Sequence, residues 1–127
     1  MVYVWVALGG ALGSVVRYAC SSFFVRWVGV GFPYGTLFVN VVGSYAIGVL
    51  GTLAIAGGRA LSAADLRAFL IVGILGGFTT FSAFSLETFT LARGGNLSGA
   101  AANILLSLAL CFVAVWLGYA SATAFSR

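Results

Sequence analysis

The sequence contains very little charge. Only 6% of its 127 residues are charged, whereas soluble domains carry about 25%. Lysine is absent, and the charged residues are two acids, Asp65 and Glu87, and six arginines. Because 62% of the residues are hydrophobic, the chain cannot cover a water-facing surface with polar groups. We therefore expect an integral membrane protein that forms a single transmembrane domain over residues 1–127.

Histidine is also absent, and cysteine occurs only at Cys20 and Cys111. Without an imidazole, neither a Ser-His-Asp triad nor a Cys-His pair can be assembled. Two cysteines are too few for a metal cage or a disulfide framework. The arginines are spread singly along the chain, so the net charge of +4 forms no patch for nucleic acid. These absences argue against an enzyme, and we assign no catalytic residue.

Four long apolar stretches predict an all-α fold with four transmembrane helices, because about 20 apolar residues cross a bilayer. These spans cover about residues 2–20, 34–56, 63–91 and 97–124. The intervening segment 21–32 is too short to cross and mixes aromatic, apolar and cationic residues, which favours the membrane interface.

Local signals mark the ends of two spans. Pro33 favours the first turn of the second helix, because its fixed φ suits that position. The segment 57–59 predicts a turn, and Ser62 with Asp65 resembles a capping box at the start of the third helix.

The arginines are balanced across the membrane. Alternating spans place three on each side: Arg59, Arg67 and Arg127 against Arg17, Arg26 and Arg93. Since the excess of basic residues sets orientation, this balance predicts insertion in both orientations and an antiparallel dual-topology homodimer. The alternative is that six charges are too few to determine the orientation.

Small and polar residues recur at helical spacing. Residues four apart share one helix face, and small ones let membrane helices approach closely, as expected for Gly9 with Gly13 and Gly73 with Gly77. Two polar stripes have the same spacing: Thr36, Asn40 and Ser44 on the second span, and Asn103, Ser107 and Cys111 on the fourth. They indicate either a polar pathway or hydrogen bonds between helices.

The third span carries a predicted break. Paired glycines followed by Thr79 and Thr80 are poor helix formers near the middle of the span. Irregular backbone at this depth is tolerated where it is buried in protein or lines a water-filled site, and freed carbonyls can coordinate a cation. The segment 76–80 is therefore a candidate ion site, unless the helix is merely bent.

Beyond the predicted break, Phe78, Phe81, Phe84 and Glu87 are three apart and share a face if the helix resumes. Aromatic rings have positive edges, so these rings can attract an anion in a dry pore or can serve as ordinary core. Glu87 is the one acid expected within a span, which makes it a functional candidate. Its alternatives are a vestibule position, structural hydrogen bonding, or proton coupling.

These residues resemble the Fluc (CrcB) family of fluoride channels. Three motifs carry the resemblance, and the third is the most specific: GGALG followed by Arg17 and Tyr18, PYGTLFVNVVG from Pro33, and GGFTTFSAFSLE ending at Glu87. The resemblance implies an antiparallel homodimer in the cell membrane that passes F⁻ through two pores, so that cytoplasmic fluoride leaves passively down its electrochemical gradient.

The resemblance also implies roles for individual residues. Phe81, Phe84 and Asn40 match the family's pore positions, and Ser107 matches its polar track on the fourth span. The carbonyls of Gly76 and Thr79 match the ligands of a structural Na⁺ on the dimer axis, and Arg17 and Glu87 match vestibule positions. Thr36 and Asn103 complete the candidate fluoride-binding set. The family often has Tyr at position 103, Ser at 111 and Thr at 83, where this chain has Asn, Cys and Ala.

Two other classes of protein share some of these features. A small multidrug transporter is also a four-span dual-topology dimer, but that family places its essential Glu in the first span, where this chain has no acid. A non-transporting scaffold would use the glycines and polar stripes only for packing. Transport assays in liposomes separate the three classes. Selective F⁻ efflux indicates the channel, proton-linked drug exchange indicates the transporter, and the absence of both indicates the scaffold.

Overall fold

The computed structural model describes residues 1–55 and 64–125, and every regular element in them is a helix. The order is α1 (Val2–Val28), α2 (Tyr34–Ile55), α3 (Ala64–Arg67), a π-helix (Ala68–Leu75), α4 (Gly76–Phe78), α5 (Phe81–Arg93) and α6 (Leu97–Phe125). The elements from α3 to α5 form one interrupted third span.

Four stretches are long and apolar enough to cross a membrane: Val2–Val28, Tyr34–Ile55, Ala64–Arg93 and Leu97–Phe125. At 1.5 Å per residue, even the shortest extends about 33 Å, which matches a hydrocarbon core of about 30 Å. The predicted all-helical architecture with four spans is confirmed. The protein is a multi-pass membrane protein.

The first helix is longer than the sequence predicted. It continues eight residues past Cys20, because residues 21–28 contain neither glycine nor proline. It ends at Gly29, whose φ of 94° suits a residue without a Cβ, and the Gly29 N–H donates to the Val25 carbonyl at 3.1 Å. Residues 21–28 therefore continue the first helix and do not form a separate segment, and their place at the membrane interface stays a prediction.

The start of the second helix agrees with the prediction. Pro33 directly precedes α2, and its carbonyl accepts a hydrogen bond from the Leu37 N–H at 3.1 Å. The predicted turn at 57–59 and Ser62 of the capping box lie outside the described residues, as do Ala56, Ala63 and Arg127 at the ends of the predicted segments.

Glycines bring α1 against the third span. A Cβ at Gly9 would overlap the Phe69 carbonyl oxygen, and a Cβ at Gly13 would overlap that of Ile74. Side chains larger than hydrogen therefore cannot occupy these positions without separating the helices. The close approach predicted from the spacing of the small residues is confirmed here.

The helices α2 and α6 approach each other in the same way. A Cβ at Gly48 would overlap the Val115 carbonyl oxygen, and a Cβ at Gly118 would overlap that of Tyr45. The most buried large side chains, Val39 and Asn103, belong to these two helices and are 0% and 1% exposed. The α2–α6 pair and the α1–third span pair together hold the bundle.

Candidate functional site

The third span is interrupted at Thr79 and Thr80. Thr79 has φ −87° and ψ 158°, and Thr80 has φ −155° and ψ 120°, so both residues are extended between α4 and α5. The predicted break is confirmed, and the alternative of a merely bent helix is excluded. The glycines themselves stay helical, since Gly76 has φ −62° and ψ −37°, and the β-branched pair carries the interruption.

Asn40 on α2 binds the backbone of the break at two points. Its Nδ2 donates to the Thr80 carbonyl at 2.9 Å, and its Oδ1 accepts from the Thr80 N–H at 2.8 Å. A backbone without partners would be costly at membrane depth. The amide therefore replaces the bond that the Thr80 N–H loses and adds a donor to the Thr80 carbonyl, which realises the inter-helix hydrogen bond considered for this residue.

The break frees the last backbone carbonyls before it, those of residues 76–79. In an unbroken helix, the N–H of Thr80 would donate to Gly76 and the N–H of Ala83 to Thr79. Here the Thr80 N–H donates to Asn40, and the Ala83 N–H donates to the Thr80 hydroxyl at 3.2 Å. The carbonyls of Gly76 and Thr79, the two predicted to bind a cation, therefore lose their helical donors, as do those of Gly77 and Phe78 between them.

Any cation held near the break would depend on these backbone oxygens. No group of three or more His, Cys, Asp or Glu side chains that could hold a metal occurs in residues 1–55 and 64–125. Carbonyl oxygens are ligands that hard cations accept, so the donors present suit such an ion. Arg17 on α1 already reaches this point, where its Nη1 donates to the Thr79 carbonyl at 3.4 Å.

A cavity of about 360 Å³ opens beside the break. It brings together four of the predicted pore residues: Asn40, Phe81, Phe84 and Ser107. The two rings lie with their centroids 5.3 Å apart and their planes at 47°. Gly76, Thr79 and Cys111 also line the cavity, so the pore candidates and the candidate cation site adjoin each other.

The other two predicted pore residues lie elsewhere. Thr36 on α2 donates from its hydroxyl to Glu87 Oε1 at 2.8 Å, and Oε2 is buried without a partner in the described residues. Thr36 and Glu87 both line a second crevice of about 330 Å³, and Arg17 is not among the residues that line it. Glu87 thus makes the structural hydrogen bond considered for it, whereas Arg17 lies at the break.

Asn103 on α6 is buried and does not line the first cavity. Its Nδ2 donates to the Thr88 hydroxyl at 2.8 Å, and its Oδ1 accepts from Ser107 at 3.4 Å. Thr88 in turn donates to the Phe84 carbonyl at 2.7 Å. Sequence reasoning missed Thr88, although its position four residues after Phe84 is a signal for this backbone contact.

These features define a class: a small four-span membrane protein with a cavity beside an interrupted helix. The profile of the family described as CrcB-like protein, Camphor Resistance (CrcB), matches residues 4–119. The chain therefore belongs to the CrcB family.

Relatives of similar length carry one name, fluoride-specific ion channel FluC. The relative from Opitutus terrae is 53% identical over 120 residues, which are 94% of this chain and 91% of the relative. The relative from Rhodospirillum rubrum is 48% identical over 122 residues, covering 96% and 95%. The relative from Methylocella silvestris is 43% identical over 127 residues, covering 100% and 97%.

Proposed function

We propose that this protein is a fluoride-specific ion channel that lets cytoplasmic F⁻ leave the cell passively, down its electrochemical gradient. Its nearly full-length similarity to relatives named fluoride-specific ion channels supports the choice of ion. The cavity at the interrupted third span carries the structural argument, because it places polar groups and aromatic rings together at membrane depth. The protein is a channel and not an enzyme, and its site of action is the cell membrane.

Four residues form the anion pathway in this proposal: Asn40, Phe81, Phe84 and Ser107. The Asn40 amide has a second N–H besides the one that it donates to Thr80, and the rings present positive edges to an anion. Ser107, whose proton is donated to Asn103, contributes a polar wall. Because the walls are mostly apolar, they bind an anion only weakly. A small anion can then move from one weak site to the next without being trapped. Thr36 and Asn103 support the pathway without lining this cavity: Thr36 donates to Glu87, and Asn103 accepts from Ser107.

A second copy of the chain in antiparallel orientation would close the pathway. Phe81 is 75% exposed, and Gly76 beside it is exposed as well. Residues that line an ion path in a membrane need walls on every side, and one chain covers this face only in part. We place the partner against this face, so that the homodimer encloses two pores.

A structural Na⁺ on the dimer axis is part of the same proposal. The carbonyls of Gly76 and Thr79 from both copies would hold it, since the break deprives them of their helical donors. When bound, the ion supplies positive charge beside the two pores. Arg17 orients one of these carbonyls through its 3.4 Å hydrogen bond.

Efflux from liposomes tests the proposal. Purified protein in liposomes loaded with fluoride or chloride should release F⁻ rapidly and retain Cl⁻, and it should lose this activity in Phe81→Ile and when Na⁺ is replaced by a large organic cation. Protein-free liposomes give the background. Proton-linked drug exchange would instead indicate a multidrug transporter, and no transport at all would indicate a scaffold. The absence of acidic residues from α1 speaks against the transporter.

A further inference from the structure

A chain of three hydrogen bonds links α6 to α5 behind the cavity. Ser107 donates to Asn103 Oδ1 at 3.4 Å, Asn103 Nδ2 donates to Thr88 Oγ1 at 2.8 Å, and Thr88 donates to the Phe84 carbonyl at 2.7 Å. Both ends of this chain, Ser107 and Phe84, line the cavity. The two middle residues do not.

Thr88 fixes the direction of the whole chain. A hydroxyl has one proton, and that of Thr88 is donated to the Phe84 carbonyl. Thr88 can therefore only accept from Asn103, which turns the NH₂ end of the amide towards α5 and its oxygen towards Ser107. Because Asn103 is 1% exposed, water cannot replace this partner.

We propose that Thr88 is a positioning residue of the ion pathway, which orients Ser107 through Asn103 and holds α6 at a fixed distance from the Phe84 backbone. This inference rests on the proposed channel function and on Ser107 as a pathway residue. Without the Thr88 hydroxyl, the buried NH₂ group loses its partner. The amide then turns towards the cavity, and the tie between the two helices is cut.

The experiment compares F⁻ efflux rates from liposomes. Thr88→Val should conduct about tenfold more slowly than the wild type, since an unpaired buried donor is costly, whereas Thr88→Ser should stay close to the wild type. Thr52→Val is the matched control, because Thr52 also donates to the carbonyl four residues earlier, here that of Gly48, and lines neither cavity. It should conduct normally.

A double-mutant cycle distinguishes positioning from a purely helical role. If Thr88 acts through Asn103, Thr88→Val should add no further loss in an Asn103→Ala background. An equal loss in both backgrounds, or wild-type flux in Thr88→Val, would overturn the inference. The elution volume in size-exclusion chromatography checks that each variant is folded. If Thr88→Val aggregates, Thr88→Ala takes its place. If the wild type itself releases no F⁻, the proposed function fails and not merely the role of Thr88.

Discussion

Asn40 shows how much one polar residue within a span determines. An amide in hydrocarbon needs partners, so its position in the second span already predicted either a hydrogen bond between helices or a place in a pathway. The structure joins it to the backbone of Thr80 at both ends of the amide and places it in the cavity. The same residue therefore holds the break and lines the candidate pathway.

We expect Asn40→Leu to destabilise the protein. The change leaves the N–H of Thr80 without a partner, at about 1–3 kcal/mol for a buried group. The midpoint of thermal unfolding in detergent should fall clearly below that of the wild type. Thr52→Val, which removes a hydrogen bond from Thr52 to the backbone of its own helix, should change it little. An unchanged midpoint in Asn40→Leu would show that Thr80 does not depend on the amide.

The partner of each polar residue could not be read from the sequence. Asn40 and Thr80 are 40 residues apart, and Arg17 and Thr79 are 62 apart, so only the packing of the helices brings them together. Spacing predicted that Asn103 and Ser107 share a face, and they are hydrogen-bonded. Spacing gave no indication that Asn103 contacts Thr88, because Thr88 lies on another helix.

The break in the third span was the most predictable feature of the fold. The π-helix in the first half of that span was the least predictable. Glycines and β-branched residues disfavour a helix wherever they occur, so the break could be placed within a few residues. The π-helix over Ala68–Leu75 has no comparable signature. It lies where Gly9 and Gly13 bring α1 against the Phe69 and Ile74 carbonyls, and such tertiary contacts are invisible to local propensity.

Close contact between α1 and the third span leads to a prediction with an internal control. Gly13→Ala should destabilise the protein by about 1–3 kcal/mol, because the new Cβ would overlap the Ile74 carbonyl oxygen. Gly10→Ala should be neutral or slightly stabilising, since a Cβ there meets nothing within 4 Å and Ala is the better helix former.

Thermal unfolding of both variants in the same detergent measures the difference. Equal midpoints for Gly13→Ala and Gly10→Ala would mean that the two helices do not pack through Gly13.

At the scale of the whole molecule, composition alone identified the environment. A chain with 6% charged residues cannot form a water-facing surface and must fold in a lipid bilayer. The lengths of its apolar runs gave the number of spans. Assembly is a different matter, because it depends on a surface that only the folded chain presents. Phe81 could be assigned to a helix face from its spacing, but its 75% exposure is a property of the fold.

The proposed antiparallel dimer predicts labelling from both sides of the membrane. Gly31, between α1 and α2, is exposed with open space around it, so Gly31→Cys should be tolerated after Cys20 and Cys111 are replaced by Ala. An impermeant maleimide added outside intact cells should modify about half of the copies, because a balanced arginine count gives no preferred orientation. Complete labelling after permeabilisation is the control. Labelling of all or none in intact cells would contradict dual topology.

The groups that satisfy the interruption come from one polypeptide. Asn40, Arg17 and the Thr80 hydroxyl all contact the broken segment from within the same chain, so part of its backbone has hydrogen-bond partners without a second copy. For the proposed antiparallel dimer, this means that a single copy would hold the Thr80 segment in place before it meets an oppositely oriented copy. The two subunits of such a dimer would then not have to be inserted at the same time, and even a scarce protein could assemble from copies made at different times.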